Sequence, residues 1–111
     1  MKLSHQDYEH ISVLTLSGEF SADDVETFNR SVSDRLTSGT KHFVLDCSHM
    51  EFIDSAGLES WLRLQERAGN QGGQLRLVSP DETVSKILEL TRLDLAFEAH
   101  ESLESAVRSL R

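Results

Sequence analysis

Ser55 has the setting in this sequence that most favours chemistry. It lies in the segment "EFIDSAGLESWL", residues 51–62, directly after Asp54, where an apolar run gives way to a helical pattern. Either residue can cap the helix by accepting hydrogen bonds from the free N–H groups of its first turn. A phosphate is also favourable there, because the helix dipole is positive at that end. Ser55 is thus a candidate cap, a candidate phosphorylation site, or both.

Two other kinds of chemistry fit this region less well. A hydrolytic serine needs a nearby base, such as His42 or His49, and Ser55 lacks the G-x-S-x-G elbow that presents such a nucleophile. Metal-ligating residue types cluster here without a recognised ligand spacing. They are Asp46, Cys47, His49, Glu51 and Asp54. We therefore expect no catalytic residue, no metal and no cofactor, with Cys47 packing as a small apolar residue.

The elements before Ser55 read as two strands, a helix and a buried strand. The strands are expected around residues 3–8 and 10–17, and a helix begins at Ser21, where Asp24 completes a capping box. The helix carries one apolar stripe. Its members are Val25, Phe28, Val32 and Leu36, and Gly39 ends the helix. "HFVLDC", residues 42–47, is apolar enough for a strand buried on both faces, followed by a short connection to Asp54.

The remainder alternates helix and strand. The helix after Ser55 has a wide apolar face formed by Leu58, Trp61, Leu62, Leu64 and Ala68. "QLRLV", residues 74–78, alternates as a strand does, and Ser79 is expected to cap the next helix with Pro80 in its first turn and Glu82 closing the box. A short strand around 96–99 precedes a helix from Ser102. Its inward residues are expected to be Leu103, Ala106, Val107 and Leu110.

This order predicts an α/β fold. Strands that alternate with helices after an opening pair imply a mixed, mostly parallel sheet of about four to five strands, with about four helices packed on it. The length of 111 residues suits a single domain, 1–111.

Charge and composition narrow the function. With 19 acidic and 11 basic residues the net charge is −8, which disfavours nucleic acid as a partner. No apolar run approaches the ~20 residues that cross a bilayer, and no signal-peptide pattern opens the chain. We expect a cytoplasmic protein without direct membrane insertion.

Four segments in order carry a family resemblance: "LSGEF", "VLDCSHMEFIDSAGL", "GGQLRLV" and the "SP" helix start. Over roughly residues 8–108 the sequence resembles a STAS domain, most closely the small stand-alone anti-sigma factor antagonists of bacteria. The resemblance implies that Ser55 matches the phosphorylated serine of that family, with Asp54, Gly57 and Leu58 completing the motif.

The resemblance also implies a partner-switching cycle. The unphosphorylated protein would bind an anti-sigma factor that is a serine kinase and so release a sigma factor; phosphorylation would end the binding, and a PP2C-type phosphatase would restore it. The expected contact surface comprises Glu19, Phe20, Ser21, Asp54, Ser55, Ala56, Gly57 and Leu58. Ala56 stands where many antagonists have a second hydroxyl, and Ser21 where many have an acid, which points to a different partner.

Two rival functions fit the same resemblance. Similar STAS domains dock on the ATPase of membrane transporters, so the chain is alternatively a stand-alone assembly subunit of a lipid ABC transporter, with Ser55 unmodified. A third possibility is a signalling scaffold that controls something other than a sigma factor.

Overall fold

The structure is a computed structural model that describes residues 1–110. Its strands are β1 (Lys2–Tyr8), β2 (Ile11–Phe20), β3 (His42–Ile53), β4 (Leu75–Val78) and β5 (Glu98–His100). Its helices are α1 (Val25–Thr37), α2 (Ser55–Asn70), α3 (Glu82–Leu90) and α4 (Leu103–Arg108), and a 3₁₀ turn, Ala22–Asp24, leads into α1. The element order matches the order predicted from the sequence.

The five strands form one sheet in the order β1-β2-β3-β4-β5. β1 pairs with β2 antiparallel, and every later pair is parallel. The predicted mixed, mostly parallel sheet with four helices is therefore confirmed.

The two faces of the sheet are covered unequally. Leu14, Leu45 and Leu77 point into a large core shared with α1, α2 and α3. Because side chains alternate along a strand, their neighbours point to the opposite face. There only a small cluster forms, of Val13, Val44, Val78 and Ala106 of α4.

β3 is longer than predicted. It continues past Cys47 to Ile53 through residues that the sequence suggested were a connection. Pairing with β2 explains the extension. The register shifts between Thr15 and Ser17 and again after Gly18, and these irregularities let the parallel pairing continue to the last residue of β3. The long strand carries the chain directly to the start of α2.

The predicted cap of α3 is wrong. Asp81, not Ser79, caps this helix and accepts the Val84 N–H at 2.9 Å. Ser79 is held by the end of β5 and the residue after it, because its N–H donates to the His100 carbonyl at 2.8 Å and its hydroxyl to the Glu101 carbonyl at 2.6 Å. β5 itself begins at Glu98, two residues later than expected.

Two leucines predicted to face inward lie at the surface. Leu62 of α2 is 36% exposed and Leu103 of α4 is 37% exposed. In α2 the positions three or four residues apart, from Leu58 through Trp61 to Leu64, are the ones that meet the sheet, and Leu62 lies to one side of that stripe. Trp61 is fully buried, at 0% exposed, as expected of a core residue.

Candidate functional site

The site lies where β2 and β3 end side by side. Phe20 and Ile53, the last residues of the two strands, are paired in parallel register. Just beyond them the Asp54 N–H donates to the Phe20 carbonyl at 3.1 Å. The carboxyl ends of the two strands thus bring the residues that follow each of them to one edge of the sheet.

Asp54 joins the two helix starts at this edge. Its Oδ1 accepts the Gly57 N–H at 2.8 Å, so Asp54 is the N-cap of α2. Its Oδ2 accepts the Ala22 N–H at 2.9 Å, in the first turn after β2. One carboxylate therefore satisfies donors at both helix starts and fixes the spacing between them.

Ser55 is the first residue of α2 and is exposed. Its hydroxyl makes no hydrogen bond within residues 1–110, since Asp54 holds the cap. Of the two caps that the sequence allowed, the structure selects Asp54. The Ser55 hydroxyl is left facing solvent at the positive end of a 16-residue helix.

Gly57 is required by close packing under the site. A Cβ at this position would lie 2.7 Å from Ile53 Cγ1 and 3.2 Å from Phe20 Cδ1. A larger residue would push the start of α2 away from the ends of β2 and β3. The glycine of the "DSAGL" segment therefore sets how closely Ser55 approaches the sheet edge.

Some of the predicted contact residues prove to be internal. Phe20 and Leu58 are 0% and 4% exposed, and Gly57 is buried as well. Phe20 shares the core-facing parity of Leu14 and Leu16 on β2, a period-two signal already present in the sequence. These side chains support the site from inside and are buried in the structure of the free chain.

The remaining predicted residues do lie at the surface. Glu19 and Ser55 are exposed, while Ser21, Asp54 and Ala56 are partly so. The structure brings them to one edge of the sheet, from the end of β2 to the first turn of α2. They are the part of the predicted contact surface that a partner can reach.

The predicted Ser21–Asp24 cap is present. The Ser21 N–H donates to Asp24 Oδ2 at 3.0 Å, and the segment begins as a 3₁₀ turn before α1. This hydrogen bond from the Ser21 backbone lowers the pKa of the Asp24 carboxyl.

A groove between α1 and α2 adjoins Ser55, and it has no local signature in the sequence. It encloses about 250 Å³ and is lined by Ala22, Val25, Asn29, Ala56, Glu59, Ser60 and Arg63. Arg63 pairs with Glu59 at 2.7 Å along its exposed rim. The groove extends the accessible surface around Ser55 with apolar and charged groups.

The other chemically versatile residues do not assemble with Ser55. The Cys47 thiol is buried, and burial raises its pKa, while it donates to Leu45 O at 3.4 Å. His49 contacts the Ser48 hydroxyl at 3.0 Å, and the His42 ring accepts the Gln74 N–H at 3.0 Å. Across residues 1–110, no three His, Cys, Asp or Glu side chains come together in a way that could hold a metal ion.

Among the described helices, none combines the length and the apolar character that crossing a membrane requires.

Comparison with known proteins agrees with this geometry. The sequence model of the STAS domain family matches residues 2–106. A Thermotoga maritima protein assigned as an anti-sigma factor antagonist is 28% identical over 104 residues, which cover 93% of this chain and 92% of that protein.

Solved structures show the same fold. A crystal structure of a T. maritima protein with the same assignment has a TM-score of 0.87 and 26% identity, covering 96% of this chain and 92% of that one. The antagonist SpoIIAA, in its unphosphorylated form, has a TM-score of 0.83 and 19% identity, covering 96% and 93%. The Bacillus SpoIIAA structure in the phosphorylated form has a TM-score of 0.76 and 18% identity, covering 96% and 97%. Because the family model matches nearly its whole length and its fold is that of the solved structures, this chain belongs to the STAS domain family.

Proposed function

We propose that this protein is an anti-sigma factor antagonist that is switched by phosphorylation of Ser55. In this proposal the unphosphorylated form binds an anti-sigma factor that is a serine kinase, and a sigma factor is released. Phosphorylation of Ser55 ends the binding, and a PP2C-type phosphatase restores it. The protein itself carries out no catalysis and acts in the cytoplasm.

The observation that carries the proposal is the position of Ser55. Its hydroxyl is exposed at the first residue of α2, and Asp54 already provides the cap. A kinase can reach such a hydroxyl, and adding a phosphate removes no hydrogen bond of the fold. The assignment of the T. maritima relative and the two phosphorylation states of SpoIIAA support the same function.

Electrostatics explain why phosphorylation would end binding. Phosphate brings about −1.5 to −2 charges to an edge that already carries the carboxylates of Glu19 and Asp54. Within the free protein, the helix dipole of α2 and solvent accommodate this charge. A partner packed over Ser55 would have to bury it, at a cost of several kcal/mol. Each 1.4 kcal/mol changes the affinity about tenfold, so the unphosphorylated protein would bind its partner and the phosphorylated protein would not.

The partner is expected to be a protein, not a nucleic acid. The chain carries a net charge of −8, which repels phosphate backbones. The accessible part of the site combines carboxylates with the Ala56 end of the groove between α1 and α2. A surface with basic groups around an apolar contact would complement it.

The proposal is tested by affinity capture with three forms of the protein. Wild type and Ser55→Ala should retain a protein with a serine-kinase domain, because both leave the surface uncharged at position 55. Ser55→Asp should lose it. Incubation of the captured kinase with wild type and ATP should place phosphate on Ser55, which peptide mass spectrometry detects, and a PP2C-type phosphatase should remove it.

Two results would overturn the proposal. Equal capture of the kinase by all three forms would show that charge at position 55 does not control binding. Capture of a transporter ATPase by all three, with Ser55 unmodified in the cell, would instead assign the chain to an assembly subunit.

A further inference from the structure

β1 forms a long open edge of the sheet. The strand order places β1 outermost, and all seven of its residues except Leu3 are exposed. Its pairing with β2 runs from Lys2 to Tyr8 without a register shift. The opposite edge, β5, has only three residues. A regular, unbulged edge of this length is a template for pairing with another strand.

The direction of the free backbone groups follows from the hairpin. Tyr8 and Ile11 close a two-residue turn in which Glu9 has a φ of 55°, and such turns close on a hydrogen-bonded pair. Bonding alternates along an antiparallel strand, so the even-numbered residues bond to β2. The N–H and C=O groups of Leu3, His5 and Asp7 therefore point outward.

β1 also carries an exposed aromatic ring, and a cavity lies beside the other end of the strand. Tyr8 is 52% exposed, on the sheet face that it shares with Lys2 and Ser4, and its hydroxyl donates to Gln6 Oε1 of the same strand at 2.8 Å. On that face lies an open cavity of about 460 Å³, lined by Lys2, Leu3, Ser4, Thr15 and Ser17. His5 is midway between Lys2 and Tyr8, so a two-fold axis through His5 sets the Tyr8 of each copy opposite Lys2 of the other. Directly opposite residues are about 5 Å apart, which brings each ring to the mouth of the other cavity.

Charge favours the approach of two copies along this strand. The whole chain carries −8, yet residues 2–8 carry one positive and one negative side chain, Lys2 and Asp7. Arg35 of α1 lies 3.2 Å from Asp7 and offsets its charge further. With Arg35 counted, the edge carries no net negative charge on an otherwise acidic molecule, so the repulsion between two copies is reduced there.

From these observations we infer that the protein self-associates through β1, with two copies pairing antiparallel about His5. The outward backbone groups of His5 bond to those of His5 in the second copy, and those of Leu3 to those of Asp7. Each Tyr8 fills the cavity beside Lys2 and Ser4 of its partner, and the two sheets become one. This contact is at the opposite side of the sheet order from β5 and does not depend on the proposed role of Ser55.

The test is sedimentation equilibrium of the purified protein from roughly 10 µM to 1 mM, a range that brackets weak edge pairing. Wild type should show a monomer–dimer equilibrium. His5→Pro removes the outward N–H at the axis without removing a bond to β2, and it should weaken the dimer at least about tenfold. The matched control His5→Ala keeps that N–H and should retain the dimer. Tyr8→Ala should weaken it through the emptied cavity.

A cross-linking experiment defines the register independently. A His5→Cys variant should form a disulfide-linked dimer under mild oxidation, because the axis places the two cysteines opposite each other at a bridgeable distance. Glu66→Cys, on the exposed surface of α2, should not do so at a comparable rate. The native Cys47 is buried and does not compete.

Three results would overturn the inference. Wild type that remains monomeric at 1 mM would exclude the dimer. A dimer equally strong in folded His5→Pro, as judged by circular dichroism, would place the contact elsewhere. Equal cross-linking by both cysteine variants would show only random collision.

Discussion

The carboxylate of Asp54 accepts the backbone N–H of Ala22 at 2.9 Å, across 32 residues of sequence. The same carboxylate caps α2 through Gly57. One side chain thereby sets the position of Ser55 relative to the loop after β2. The surface proposed to bind a partner depends on this bridge as much as on the serine.

Asp54→Ala should destabilise the protein by about 1–2 kcal/mol, since it removes the N-cap of α2 and the acceptor for Ala22. Urea unfolding followed by circular dichroism measures the change. Asp23→Ala is the control, because Asp23 is exposed and makes no hydrogen bond within residues 1–110. A loss for Asp54→Ala no larger than that of the control would mean that the bridge contributes nothing to stability.

Gly57→Ala and Gly69→Ala should act in opposite directions although both lie in α2. A Cβ at position 57 meets Ile53 at 2.7 Å, so the substitution should cost about 1–3 kcal/mol by overpacking. A Cβ at position 69 meets nothing within 4 Å, and there the helix preference for alanine should add up to about 1 kcal/mol. The free energies of unfolding of both variants test this, and a stabilised Gly57→Ala would refute the close packing under Ser55.

Substitutions of Ser55 should leave the fold intact. Its hydroxyl is exposed and unbonded within the described chain, so Ser55→Ala should change the stability by less than about 0.5 kcal/mol. Ser55→Asp should be equal or slightly more stable, by about 0.3–1 kcal/mol, because its charge lies at the positive end of α2. Thermal unfolding measures both. A marked loss in Ser55→Asp would mean that lost binding reflects misfolding and not repulsion.

Asp24 should contribute to stability at neutral pH and not in acid. Its pKa in the folded protein lies below the ordinary value of 3.8, mainly because the Ser21 N–H bonds to the charged form. A carboxyl with a depressed pKa stabilises the fold above its unfolded pKa and loses that contribution as pH falls through its folded pKa. Unfolding measured from pH 7 to pH 2 should therefore show a shallower acid decline for Asp24→Asn than for wild type.

Asp23→Asn is the matched control for this pH profile. Asp23 is the neighbouring acid of the same turn and has no hydrogen-bonded partner within residues 1–110. Its variant should follow the wild-type curve. If the two variants gave the same curve, the Ser21 hydrogen bond would not be the source of the acid sensitivity.

Local signals in the sequence were enough to predict part of this site. The Ser21–Asp24 contact spans three residues, and Ser55 follows Asp54 directly, so propensity and spacing reveal both. The element order also followed, because apolar periodicity reports which segments reach the core.

Features that depend on contacts between distant segments could not be predicted from local sequence patterns. Ser79 follows the pattern of a helix cap, but its N–H donates to His100 of β5 and its hydroxyl to Glu101, so Asp81 becomes the cap. The second acceptor role of Asp54, toward Ala22, has no local signature at all. Phe20 is a different case: its parity on β2 already placed it inside, beneath the surface to which the resemblance assigned it.

Because the two faces of the sheet are covered unequally, the helix layers on them should differ in the free energy needed to open them locally. The core under α1, α2 and α3 holds the large aromatic side chains, whereas α4 contributes one fully buried residue, Ala106, which packs against three valines beside the partly buried Val107. Elements with few buried contacts open at a lower free energy than the rest of the fold. The backbone amides of α4 should thus exchange with solvent by local opening, whereas those of β3 should exchange only on global unfolding. The sheet face under α4 can therefore be uncovered without disturbing Ser55.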